Sequence, residues 1–397
     1  MGGMTVILDQ TSLRDLATMT DDMGVLSVYA TADPRDRSAS PTWQLAVGNA
    51  ITALRNDVAS NGDRQRKAAV LARLEKLEPE IDRVLGTAGS GVGRALFAPV
   101  SSDEVHTVSV QTPLEDCAVL ERRPYLRPLA AVLTTDGPAG VVAVSREGAR
   151  VLDLRFGVPR ELARFTFELD NEDWRPSRSA PSQPGISGRA SGVYDRFDRR
   201  VEERLLRYLQ SVRPRIRDMA DEHGWSTVVV AGSTRLLDVV RKGLAAGNGH
   251  RDIILLDRVV EALSPTEVAA VVRPELRAAR VRRCRALAEQ ARDAAMSGGQ
   301  GTAGLSDTLG ALRENRINHL LLDGARQLRG CRGPDGGYYP QSETPPGAGA
   351  DAMTEEGDLG ERMIELGLIS GAEVTVLPPE AADVLTEDDG VAALLRW

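Results

Sequence analysis

The sequence predicts an α/β protein of three α/β units, and three observations carry that reading. Short apolar runs of strand length alternate with longer stretches of helical periodicity. Turn-forming residues at TTDGPAG, residues 134–140, and a helix-start signal at Ser264 divide the pattern into segments 1–136, 137–263 and 264–397. At 397 residues, 42% hydrophobic and 27% charged, the chain is long enough for two or three ordinary cores and has the composition of a soluble globular protein.

In the first unit VLSVY, Val25 to Tyr29, reads as a buried strand, and ADPRDRSASP as a polar turn. Trp43 opens an amphipathic region that runs to Leu85. GTAGSGVG, residues 86–93, reads as a turn and not as a phosphate loop, because it precedes a strand where a dinucleotide fingerprint would follow one. Strands at Ala95–Val100 and Val105–Val110 and a helix at Tyr125–Leu133 complete the unit.

The second unit begins with two β-rich runs joined at Arg146-Glu147-Gly148, a hairpin signal. ELARFTFELD extends that sheet, and residues 175–192 are too rich in Ser, Pro and Gly to pack, which predicts a loop. Phe197, Val201, Leu205, Leu209, Val212 and Ile216 then recur at helical spacing, with Pro214 expected as a kink or an end. TVVVAGS, Thr227 to Ser233, has the unbroken apolarity of a strand covered on both faces.

Ser264-Pro265-Thr266-Glu267 opens the third unit: a Ser cap, Pro at the first helical position and Glu three residues after the cap agree on a helix start. Val281, Cys284, Ala288, Ala291 and Ala295 make its apolar stripe, which ends near Met296. A connector containing Gly298-Gly299-Gln300 follows, then a helix at Leu305–Arg313, a strand at Ile317–Leu322 and a flexible Gly/Pro-rich insertion at 330–350. A helix to Leu366, the strand EVTVL and a terminal VAALLRW close the chain.

No window holds the roughly 20 apolar residues of a membrane span, and the N-terminus lacks the basic and apolar segments of a secretory signal. A cytoplasmic protein without membrane contact is expected. Cys117, Cys284 and Cys331 are far apart, and His106, His223, His250 and His319 are as scattered, so no metal, cofactor or catalytic residue is assigned. A net charge of −8 argues against indiscriminate nucleic-acid binding, but arginine is locally concentrated. Arg189, Arg196, Arg199 and Arg200 lie on the middle loop and helix, interleaved with Asp195, Asp198, Glu202 and Glu203. They suit either RNA phosphates or an internally paired, solvated helix. Arg280, Arg282, Arg283 and Arg285 form a less neutralised stripe, fit for RNA or for a plain linker helix.

The order of four stretches, GVVAVSREGARVLDLRFG with RELARFTFELD, VVVAGS, GLSDTLGALRENRINHLLLD and DGVAALLRW, resembles the archaeo-eukaryotic class-1 peptide chain release factor and Pelota family in its bacterial branch. The resemblance implies three α/β domains in release-factor order, the last an α/β/α sandwich, and binding in the ribosomal A site in the manner of a tRNA. It implies rRNA as the surface met, with peptidyl-tRNA and a translational GTPase as further partners. The catalytic Gly-Gly-Gln of such factors belongs in the middle domain, where this chain has GISGRASG, residues 185–192, and no glutamine; the nearest is Gln183. Gly298-Gly299-Gln300 falls in the third unit, as a helix stop. The Asn-Ile-Lys-Ser loop of stop-codon readers is likewise absent from ASNGDRQRKAAVL. The expectation is a ribosome-binding factor of hibernation, rescue or translational control without stop-codon reading or peptide release. The rival readings are a peptidyl-tRNA hydrolase using another loop and a stress-related RNA- or protein-binding protein off the ribosome.

Overall fold

The computed structural model describes residues 4–6, 8–32, 41–60, 63–86, 91–155, 159–168, 190–245, 251–344, 349 and 352–397. Two units emerge: residues 1–137 together with 280–397, and residues 138–279.

The N-terminal part of the first unit is a sheet of β1 (Met4–Val6), β2 (Val25–Thr31), β3 (Gly93–Pro99), β4 (His106–Val110) and β5 (Cys117–Glu121), in the order β1-β4-β3-β2-β5. Alternation along β2 and β3 puts Leu26, Val28, Ala30, Leu96 and Ala98 on one face. There they bury Trp43, Val47, Ile51, Val70, Leu74 and Ile81. The amphipathic region read from Trp43 to Leu85 is three helices, α2 (Thr42–Ser60), α3 (Arg64–Lys76) and α4 (Glu78–Leu85), after a short α1 (Gln10–Thr18). The breaks have local causes: the Asp63 side chain caps α3 by accepting from the Gln65 amide, and a proline near the start of α4 opens that helix. On the opposite face Tyr29 and Phe97 meet edge to face at 5.8 Å, and the Tyr29 hydroxyl donates to the Tyr125 carbonyl just before α5 (Arg127–Asp136).

The second unit is a mixed sheet, order β10-β9-β6-β7-β8, made of β6 (Ala139–Ser145), β7 (Gly148–Asp153), β8 (Arg160–Thr166), β9 (Thr227–Gly232) and β10 (Asp252–Asp257). The expected hairpin is present, and Gly148 turns it at φ +129°, a conformation open to glycine. β9 lies between β6 and β10, parallel to both. Helices cover both faces, which is why TVVVAG is apolar throughout. Val142, Val144, Val228 and Val230 pack on Leu205, Leu209, Val212 and Ile216 of α6 (Ala190–Glu222) and Leu237 and Val240 of α7 (Thr234–Leu244). Val141, Val229 and Ala231 pack on Val268, Val272 and Leu276 of α8 (Pro265–Met296). Of the two alternatives read at Pro214, an end does not occur: α6 runs on to Glu222 with Pro214 inside it. Pro214 is exposed, and the apolar stripe continues beneath it through Ile216 and Ala220, so packing outweighs one lost backbone hydrogen bond.

The C-terminal part of the first unit has the order β11-β17-β12-β16, with β11 (Gly301–Ala303), β12 (Ile317–Asp323), β16 (Glu373–Leu377) and β17 (Val391–Leu395). Leu321 and Ala392 face Cys284, Ala288 and Ala291 of α8 and Ala381 of α11 (Pro379–Ala382). Leu320 points the other way, against Gly367 of α10 (Leu359–Ile369), which follows α9 (Leu305–Arg313) in this layer. The result is an α/β/α sandwich. The Gly/Pro-rich insertion contributes β13 (Gly330–Arg332) and β14 (Tyr338–Pro340), and β13 lies between β14 and β15 (Thr354–Glu356), a strand just beyond the insertion. Gly330 sits so close to the Tyr339 carbonyl and Leu359 that no side chain fits there. Arg313 stacks 4.5 Å over the Tyr339 ring, whose hydroxyl donates to Asp335. Among the described residues no helix is long and apolar enough to cross a membrane.

Candidate nucleic-acid interface

The buried stripe of α6 leaves a charged outer face with Arg200, Arg204, Arg207 and Arg215 exposed. Arg189 and most of the loop 175–192 lie outside the described residues; Arg196 and Arg199 belong to α6, with side chains that also lie outside them. Interleaved acids do pair: Glu203 with Arg207 at 4.0 Å, and Glu202 with Arg235 of α7 at 3.5 Å. Both members of the first pair are about 70% exposed. Such pairs contribute on the order of 0–1 kcal/mol, so an incoming phosphate can displace them.

α8 starts as its sequence dictates. The Ser264 amide and hydroxyl both donate to Glu267, at 2.8 and 2.7 Å, and the Glu267 amide donates back to the Ser264 hydroxyl. The four arginines of its stripe then separate into two kinds. Arg280 donates to the carbonyls of Thr135 and Gly137 and lies 3.5 Å from Asp136, so it closes the C-terminal end of α5, where unpaired carbonyls favour a cation. Burial lowers its pKa from the usual arginine value, while Asp136 opposes the shift. Arg285 reaches both Asp383 oxygens at 2.8 and 2.9 Å and Glu289 at 3.2 Å. Arg282 and Arg283 are exposed, and neither makes an ion pair with the described residues. Two guanidinium groups of the stripe are therefore bound to protein and two face solvent.

Gly298-Gly299-Gln300 is the end of α8. The Gly299 amide donates to the Ala294 carbonyl at 2.8 Å and the Gly298 amide to that of Ala295 at 3.2 Å, with Gly298 at φ +69°: the paired bonds of a Schellman stop. The Gln300 carbonyl accepts from the Leu395 amide at 2.9 Å, tying the turn to the last strand, and its side chain is exposed. Backbone geometry explains the glycine without an appeal to catalysis.

A buried polar cluster was not foreseen from the sequence. α5 begins Leu126-Arg127-Pro128 with no capping side chain of its own. The carboxyl group of Glu361, fully buried on α10, accepts from the Leu126 and Arg127 amides at 2.5 and 3.0 Å and supplies the cap from a distant part of the chain. Arg127 pairs with Asp358 at 3.0 Å, and Arg362 is held among Glu121, Glu365 and Glu356. Burial pushes the Glu361 carboxyl up to about 8, with Glu365 and Asp358 adding repulsion and the two amides opposing. The missing cap at Leu126 was the one signal available in the sequence. Its partner was not.

Residues 138–250 match the family model described as bacterial archaeo-eukaryotic release factor family 5. This match bears out the resemblance to the bacterial branch of the release factor and Pelota family. No curated protein matches the chain. Among solved structures it is similar to an archaeal translation termination factor, aRF1, at 17% identity over 99% of each chain with a TM-score of 0.25. It is also similar to ribosome-bound archaeal Pelota, at 12% identity over 98% of this chain and 94% of that one with a TM-score of 0.39. Dom34 of S. cerevisiae, a termination-like factor of RNA quality control, matches at 9% identity over 78% and 74% with a TM-score of 0.38.

Proposed function

We propose that the chain is a cytoplasmic, ribosome-associated translation factor that occupies the ribosomal A site in hibernation, rescue or translational control, and neither reads stop codons nor releases peptide. The observation that carries the reading is the match of residues 138–250, the segment that holds α6 and its basic face, to a release factor family. The absence of glutamine from residues 185–192 and the helix-stop geometry of Gly298-Gly299-Gln300 support a role without hydrolysis. Arg189, Arg196, Arg199 and Arg200 on the middle segment and Arg282 and Arg283 on α8 are the RNA contacts in this reading, while Arg280 and Arg285 fix α8 against its neighbours. Ribosomal RNA is the partner, and a translational GTPase delivers the factor. Sedimentation with 70S ribosomes through sucrose tests the association. Co-migration that fades steeply with salt is expected, and protein remaining at the top of the gradient at low salt would refute it.

A further inference from the structure

The sheet of the second unit has two edge strands of opposite character. β8 carries Arg160, Glu161 and Arg164 along its length, and its pairing with β7 slips between Val151 and Leu152. Charge and irregular register are what keep an edge strand from recruiting another strand. β10 has neither protection. It reads Asp-Ile-Ile-Leu-Leu-Asp, pairs with β9 in unbroken parallel register, and is charged only at its two ends. Leu255 in its middle is 41% exposed, and Val259 just past its end is 64% exposed.

The backbone of β10 is half used. The Asp252 amide donates to the Ser226 carbonyl at 3.0 Å, so Asp252, Ile254 and Leu256 point their amides and carbonyls at β9. Ile253, Leu255 and Asp257 point theirs outward, and these three amides have no partner among the described residues. The Asp252 and Arg258 side chains are exposed and make no ion pair among the described residues, whereas Arg251 is bound to Asp221 and Asp257 accepts from the Thr234 hydroxyl at 2.8 Å. The strand thus offers outward hydrogen-bonding groups, an apolar middle, an uncommitted negative charge at its start and an uncommitted positive one just beyond its end. That order is self-complementary about a two-fold axis. Full overlap of two antiparallel copies would set Asp252 against Asp257 and outward groups against inward ones. Shifted by one residue, with Leu255 opposite Leu255, the outward residues meet one another. Ile254 then lies against Leu256, Ile253 against Asp257, and Arg258 falls beside Asp252 at both ends.

We propose that the chain forms a two-fold dimer through β10, the five-stranded sheets of two copies joining antiparallel at Leu255 into one continuous sheet with Asp252 of each copy paired to Arg258 of the other. A second copy is the occupant because the strand itself supplies both halves of the charge pairing, in the one register that also matches its outward hydrogen-bonding groups. Opposed residues in such a ladder have Cβ atoms about 4.5–5.5 Å apart, within reach of these ion pairs. The dimer is independent of the ribosome reading above.

Sedimentation velocity of the full chain tests this, with circular dichroism to confirm that each variant is folded. The parent should pass from monomer to dimer as its concentration rises through about 1–100 µM. Leu255→Lys, which sets two like charges opposite each other at the axis, should stay monomeric over that range. Asp252→Arg and Arg258→Asp should each weaken the dimer about tenfold, because both end pairs become repulsive. An equimolar mixture of those two variants should dimerise as the parent does, since each copy then meets the opposite charge at both ends. That recovery also shows that neither substitution acts by unfolding the chain. A parent that remains monomeric, a dimer indifferent to Leu255→Lys, or a mixture that associates no better than its components would each overturn the proposal.

Discussion

Glu361→Gln isolates the cap that α10 lends to α5. In the parent each carboxyl oxygen accepts one amide, from the buried Leu126 at 2.5 Å and the part-buried Arg127 at 3.0 Å. Glutamine keeps the shape but turns one acceptor into a donor, which leaves one amide unsatisfied at about 1–3 kcal/mol. The proton supplies the opposing effect. The folded-state pKa of Glu361 is raised from its ordinary 4.5 to about 8, so its contribution is fully present below pH 4.5 and is lost as pH rises through 8. At about 1.4 kcal/mol per pH unit in that window, the parent loses on the order of 4 kcal/mol that the variant, with nothing to titrate, keeps. The variant is therefore the less stable near pH 5 and the equal or more stable near pH 8. Hydrogen–deuterium exchange of peptides covering α5 and α10, followed at both pH values, reads this locally. A variant whose protection falls with pH in parallel with the parent's would refute the reasoning.

Three further outcomes follow. Gly298→Val should cost about 1–2 kcal/mol in thermal unfolding through its left-handed backbone alone, since no atom lies near its added Cβ; Gly301→Ala should cost more, because its Cβ would sit 2.6 Å from that of Ala294. Gln300→Ala should leave release of labelled peptide from ribosomes with P-site peptidyl-tRNA unchanged from the parent's background; robust parental release lost in the variant would make that turn catalytic. The double variant Arg282→Gln with Arg283→Gln should flatten the salt dependence of RNA binding by roughly 1–2 in log–log slope, whereas Arg280→Gln should lower the melting temperature with little change in that slope.

What was legible in the sequence was whatever a local segment decides by itself. The hairpin at Arg146-Glu147-Gly148, the start of α8 at Ser264 and its end at Gly298 follow from residues within one turn of each other. Cys284, Ala288 and Ala291 were readable as a buried stripe because helical period alone places them on one face. β5 is not legible because, as a half-buried edge strand, CAVLE shows no clear alternation, and Pro214 does not end α6 because its neighbours' packing decides the helix. The arginine run looked uniform in sequence, yet Arg280 is committed to carbonyls 143 and 145 positions away. Glu361 meets its amides across 235 and 234 positions. Tertiary partners at such distances leave no periodic trace, so a committed arginine and a free one read alike.

Occupancy of the A site tests the central claim most directly. Purified 70S ribosomes carrying peptidyl-tRNA in the P site are given labelled aminoacyl-tRNA, with and without the protein, and A-site binding is counted on filters. The account predicts that the protein excludes aminoacyl-tRNA in proportion to its own occupancy while the peptidyl ester stays intact. Undiminished A-site binding at saturating protein would contradict it.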